Sequence, residues 1–162
     1  MTMAALKLLA IAVVSRHVAY VYLIGDRLVD WRISDRASTS AEKASATVQG
    51  WINLLHPDVV VSEKITAGFR KGKKAKIAIE AITLVAANNY VLDVSVVRDQ
   101  SFPNKYLEAD AIVADYPELR PWLPKKRLFY DNEPRNTVLF EAMALAQIVL
   151  RGPTPVLAAA MG

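Results

Sequence analysis

Asp58-Val59-Val60-Val61-Ser62-Glu63-Lys64 is the stretch on which the fold turns. Three consecutive valines after His56-Pro57 read as a short buried strand, and the strand delivers a carboxylate, Glu63, at its C-terminal end. In open α/β sheets that edge is where ligands and catalytic groups collect. A cationic segment follows at once, with Arg70, Lys71, Lys73, Lys74 and Lys76. An acid on a strand tip beside a basic loop suits a phosphodiester and the metal ions that cleave one.

Working outward from that strand, helices flank it on both sides. Upstream, Thr39-Ser40-Ala41-Glu42 matches a capping box, with the Thr39 hydroxyl and the Glu42 carboxylate serving the free N–H groups of a first turn. Ala44, Val48, Trp51, Ile52 and Leu55 then recur at helical spacing until His56-Pro57. Downstream, Ala75–Ala87 repeats the helical pattern, Asn88-Asn89 supplies a C-terminal cap, and Val91–Val97 is a further strand.

Before the first helix lie three apolar runs, Leu8–Val14, Val18–Ile24 and Leu28–Ile33. Gly25-Asp26 between the last two is a hairpin signal, and a turn near Ser15–His17 joins the first two. After the fifth strand, a weaker helix runs from Asn104 to Tyr116 and stops near Pro117, and a strongly apolar helix spans Thr137–Leu150. The order β-β-β-α-β-α-β-α-α predicts an α/β fold: a mixed five-stranded sheet of three antiparallel strands followed by βαβ crossovers, with helices on both faces. Residues 1–150 are expected to form one domain and 151–162 a loose C-terminal tail.

Composition supports a globular chain. The 162 residues are 53% hydrophobic and 22% charged, enough to bury a real core. There is no cysteine, which excludes disulfides, thiolate catalysis, zinc–thiolate sites and iron–sulfur clusters, and fits a reducing cytoplasm. The net charge of +4 permits a polyanionic partner without requiring one. Ala4–Val14 is about half the ~20 apolar residues of a membrane-spanning helix, and Arg16 and His17 interrupt it. It is therefore read as the first strand, in a cytoplasmic protein without a membrane partner.

The strand order resembles the ribonuclease-H-like fold, and within it the RuvC-like Holliday junction resolvases. Leu9-Ala10-Ile11-Ala12-Val13-Val14-Ser15-Arg16 resembles the family's first strand, of the form ILGIDPGSR. Val59–Lys64 resembles the strand that ends in a catalytic Glu. Asn104-Lys105-Tyr106 through Val113 resembles the segment in which a Lys precedes a short helix, and Phe140–Ala146 resembles the closing DALALA helix. The resemblance spans most of residues 8–150.

It implies a nuclease that holds two magnesium (or manganese) ions on about four carboxylates and acts on nucleic acid, DNA more than RNA. It also implies a homodimer formed through helices. Residue by residue, Glu63 takes the place of the strand-four Glu, and Glu141 that of the final helix acid. The first-strand Asp falls on Ala12, and the acid one helical turn before Glu141 falls on Val138. Asp131 and Glu133, just before the closing helix, are the remaining candidate metal ligands beside Glu63 and Glu141. Arg70, Lys71, Lys73, Lys74, Lys76 and Lys105 are the candidate nucleic-acid contacts.

Losing the first-strand acid should remove metal affinity and most of the rate. The expectation is a nucleic-acid-binding protein for branched or structured DNA, with weak or lost metal-dependent endonuclease activity. One alternative is a scaffold or protein-interaction module on a vestigial nuclease fold. Another is an active nuclease in which Asp131 or Glu133 completes an atypical carboxylate set. Each candidate also has a plainer reading. Glu63 could be a solvated residue paired with Lys64 or Arg70, Arg70–Lys76 a solubilising loop, and Glu141 a member of an exposed helical stripe.

Lys125-Lys126-Arg127 beside Trp122 and Phe129 is a second basic–aromatic segment, suited to a single strand or to pinning a loop. His17 and His56 are isolated, and His56 reads as a helix terminus. GxGxxG, P-loop, GxSxG and HExxH patterns are absent.

Overall fold

The structure, a computed structural model, describes residues 5–14, 16–69, 71–98, 102–125 and 135–152. Arg70, Asp131, Glu133, the basic residues Lys126 and Arg127, Phe129 and the tail from 153 lie outside the described residues. Five strands form one sheet: β1 (Lys7–Val14), β2 (His17–Ile24), β3 (Arg27–Ser34), β4 (Val59–Glu63) and β5 (Leu92–Val96). Their spatial order is β3-β2-β1-β4-β5. β1, β2 and β3 pair antiparallel, whereas β4 joins β1 in parallel and β5 joins β4 in parallel. The fold is the mixed α/β sheet that the sequence predicts.

The two hairpins explain the antiparallel half. Gly25 sits at φ +64°, the left-handed conformation that a two-residue hairpin turn needs and that a side chain resists. Val14 pairs with His17, leaving only two residues in the first turn. The parallel half is built by two crossovers, through α1 (Ala41–Leu55) and α2 (Lys73–Ala87). Two further helices, α3 (Lys105–Asp115) and α4 (Thr137–Arg151), follow β5.

Alternation along β1 sorts the core into two layers. Leu9, Ile11 and Val13 face α1 and α2, together with Val60 of β4 and Tyr20 of β2. Leu8, Ala10 and Ala12 face α3 and α4, together with Val59 and Val61. The central strand is thus covered on both faces, which is why it reads as a continuous apolar run. On the first face Tyr20 meets Trp51 edge-on, ring centroids 4.7 Å apart, a pairing that adds about 1 kcal/mol beyond burial. On the second, the small residues Ala10, Ala12 and Ala19 of the sheet share a buried layer with Ala142 and Ala146 of α4.

One local expectation shifts. Ser40 caps α1, its Oγ accepting from the Lys43 N–H at 3.1 Å, while the Thr39 hydroxyl donates to the Arg36 carbonyl at 2.8 Å. A single turn of 3-10 helix over Ala37–Thr39 engages Thr39 and hands the cap to its neighbour. His56 ends α1 as expected. It adopts φ +49° and donates its N–H to the Ile52 carbonyl.

Candidate functional site

Glu63 and Glu141 meet, although 78 positions separate them in sequence. Glu63 is the last residue of β4 and follows the alternation of Val59 and Val61, so its side chain lies on the α4 face of the sheet. It is 8% exposed. Glu141 lies one turn after Thr137 on α4, and its side chain turns inward rather than joining an exposed stripe. The two carboxylates converge at the C-terminal edge of the parallel strands, where the sequence places a site.

The parallel register also locates Ala12, the first-strand position at which the resemblance expects an acid. Leu8 pairs with Val59 and Ala10 with Val61, so Ala12 lies level with Glu63 on the same face. Val138 is fully buried one turn before Glu141. Ala12 and Val138 are thus both buried apolar side chains near the acid pair.

Lys71 occupies the space between the acids. Its Nζ donates to Glu63 Oε1 at 2.6 Å, to the Val13 carbonyl at 2.8 Å and to Glu141 Oε1. An ammonium has three donors, so these bonds use all of them. Arg98, two residues past the end of β5, closes the other side. Its guanidinium makes a two-pronged pair with the Glu108 carboxylate, one arm at 2.9 Å, and its Nε lies 3.8 Å from Glu141 Oε1.

Burial alone would weaken the Arg98 charge. The bond to Glu108 and the nearby carboxylates of Glu141 and Glu63 outweigh it and raise its pKa. The resulting cluster holds three carboxylates and two cations, all at most about one-fifth exposed.

Two openings flank this cluster. One, of about 220 Å³, is lined by Lys105, Asn104, Arg98, Thr137 and Glu141. The other, of about 590 Å³, lies between Glu63, Thr66, Phe69 and Arg98. Asn104 caps α3, accepting from the N–H groups of Tyr106 and Leu107, which sets Lys105 at the mouth of the first opening. Lys73, Lys74 and Lys76, at the start of α2, are exposed.

The predicted residues therefore divide. The structure brings together Glu63, Glu141, Lys71 and Lys105. Lys73, Lys74 and Lys76 form a solvent-facing basic strip on α2, and Lys71 points inward onto the acids. Arg98 and Glu108 are site residues that the sequence reading passed over. The available signal was Arg98 directly after the apolar run 91–97, the same pattern that singles out Glu63. Trp122 packs edge-on against Trp31, centroids 5.2 Å apart, which ties its loop to the sheet. His17 pairs with Asp35 at 3.0 Å. The hydrogen bond from Arg135 holds the Asp35 carboxyl below the usual carboxylate range.

Among the described residues the donor set does not fit a pair of divalent ions. Magnesium requires oxygen ligands in near-octahedral array. Among the described residues no group of three or more His, Asp or Glu side chains is placed to hold a metal. The two carboxylates that converge do so on an ammonium. No helix among the described residues is long and apolar enough to cross a membrane.

With the geometry in place, the fold is that of the RuvC-like Holliday junction resolvases. Thermus thermophilus RuvC, solved in complex with a Holliday junction substrate, superposes with a TM-score of 0.55 over 91% of this chain and 96% of its own, at 16% identity. The fowlpox virus resolvase, solved with Holliday junction DNA, gives 0.57 over 90% and 97%, again at 16% identity. The yeast mitochondrial Holliday junction resolvase gives 0.56 over 91% and 80%, at 10% identity. No protein-family profile and no curated protein sequence matches the chain.

Proposed function

We propose that this protein binds branched or structured DNA through a RuvC-like surface, and that its metal-dependent cleavage is weak or lost. The observation that carries the reading is the convergence of Glu63 and Glu141 at the β1/β4 edge with Lys71, Arg98 and Lys105 beside them, and the helix that follows Lys71 opens with the exposed residues Lys73, Lys74 and Lys76. Acids already compensated by Lys71 and Arg98, with exposed lysines on the adjoining helix, suit a phosphate backbone that is held by those lysines. The solved resolvases of this fold with junction DNA bound add to that reading. Ala12 and Val138 in place of acids support weak or lost cleavage, and Asp131 and Glu133 are the remaining groups through which magnesium or manganese would be held. The proposal includes a cytoplasmic location.

The test is anisotropy titration of a labelled four-way junction, a duplex and an RNA/DNA hybrid over a range of salt, followed by incubation with magnesium or manganese. The expected result is junction binding that weakens steeply with salt, with the DNA left intact. Replacing Lys73, Lys74 and Lys76 by Ala should flatten the salt dependence by about one unit of log–log slope for each phosphate that is no longer neutralised. Binding that is absent, or indifferent to salt, overturns the proposal.

A second reading, a protein-interaction module on the same fold, is favoured by the exposed apolar side chains on α1 and α2. Leu54 and Leu84 are each 63% exposed, and Ile77 lies seven residues before Leu84 on the same stripe. A homodimer through these helices belongs to either reading. Sedimentation of the wild type against Leu84→Glu tests it.

A further inference from the structure

Lys71 differs from its basic neighbours in what its charge does. Lys73, Lys74 and Lys76 face solvent, whereas the Lys71 side chain is 21% exposed and its ammonium meets three oxygens from three elements. Val13 contributes a carbonyl at the end of β1, Glu63 a carboxylate at the end of β4, and Glu141 a carboxylate from the second turn of α4. Gly72, directly after it, is the N-cap of α2, so the lysine sits where the chain enters that helix.

These oxygens are the hard donors a divalent cation prefers, and they point to one place. An ion would need their lone pairs at about 2.1 Å, and the ammonium already engages them. The two cannot share the spot.

We propose that Lys71 is a built-in cation that fills the carboxylate site in place of a divalent metal ion. It neutralises one of the two converging acids, with Arg98 beside Glu141 supplying further positive potential, and it ties β1, β4 and α4 together at the sheet edge. Divalent metal and Lys71 engagement are mutually exclusive. The Val13, Glu63 and Glu141 oxygens become a metal-binding set only when the ammonium is removed. None of this depends on nucleic acid binding.

The test uses the full chain and Lys71→Met, which keeps most of the apolar stem and removes the charge. Manganese binding is followed by electron paramagnetic resonance, and thermal unfolding is recorded in chelator and in manganese. The wild type should unfold at the same temperature in both. K71M should unfold earlier in chelator, recover in manganese, and bind manganese at least about ten-fold more tightly than the wild type. Adding Glu63→Gln to K71M should abolish that gain, which assigns the ion to this site.

A K71M protein with no more manganese affinity than the wild type overturns the proposal. So does a wild type that manganese stabilises as strongly as the variant. If K71M does not fold, reductive methylation of wild-type lysines read by mass spectrometry decides. Lys71 should react at least about ten-fold more slowly than Lys73 and Lys74, with or without manganese, and equal rates overturn the assignment. None of these measurements contains DNA, so the outcome is independent of the binding reading above.

Discussion

Restoring an acid at position 12 is the most demanding test of the site's geometry. Ala12 is 2% exposed, level with Glu63 on the neighbouring strand, paired with Ala19 on β2, and in the buried layer that includes Ala142 and Ala146 of α4. Ala12→Asp adds a carboxylate about 5 Å from Glu63, the spacing of adjacent strands. At an effective dielectric constant near 20, two like charges at that distance repel by about 3 kcal/mol. Lys71 is already committed to Glu63 and Glu141 and can offset only part of this.

Fitting extra atoms into an alanine-lined helix–sheet interface costs about a further 1–3 kcal/mol. The expected loss without metal is therefore about 4 kcal/mol. For a domain of this size that lowers the midpoint of thermal unfolding by about 10 °C. Manganese should return a substantial part of the loss, because a third carboxylate makes the ion a better competitor for the site than the ammonium. The assay is thermal unfolding of wild type and A12D in chelator and in manganese. A variant as stable as the wild type in chelator, and unresponsive to manganese, would refute the placement of Ala12 beside the carboxylate pair.

Two further outcomes follow from single side chains. Arg98→Ala leaves Glu108, itself only 8% exposed, without its two-pronged partner. It should cost about 3 kcal/mol in urea unfolding with an unchanged m-value, and a loss below about 1 kcal/mol would mean that solvent screens the pair. Asp93 on β5 is half-buried, its Oδ1 has no hydrogen-bond partner among the described residues, and burial raises its pKa above the usual carboxylate value. The folded state then disfavours the ionised form. Stability is lost as pH rises from the unfolded pKa of about 3.9 through the raised folded value, and the full penalty applies at neutral pH. Asp93→Asn should melt above the wild type near neutral pH and together with it at about pH 3 or below, whereas a constant difference across that range would point to packing instead.

Much of the architecture was legible because it is written in local patterns. Period-two and period-3.6 apolar spacing, Gly25-Asp26 and His56-Pro57 mark strands, helices and their ends within a few neighbouring residues. The α1 cap moved from Thr39 to Ser40 because two adjacent hydroxyls suit the role, and the 3-10 turn before the helix engages the first of them. Glu63 stood out for a similar local reason, a charge ending an apolar run. Glu141 was harder. Most of its neighbours on α4 are buried, so periodicity offered no clear polar stripe to assign it to.

The order of residues along the chain was thus enough for the succession of elements and the two-faced burial of β1 and β4. What a side chain's charge meets across the fold came from the tertiary arrangement alone. Lys71 reads as one of a run of surface cations, yet its ammonium meets Val13, 58 residues away, and Glu141, 70 residues away. Arg98 likewise reads as the residue after a strand, and becomes part of the site only when α3 brings Glu108 to it. Helical and strand periods act over a few residues and so are visible in any window of the chain. An ion pair between distant elements depends on how the sheet orders its strands and where α4 closes over them, and no local pattern encodes that distance.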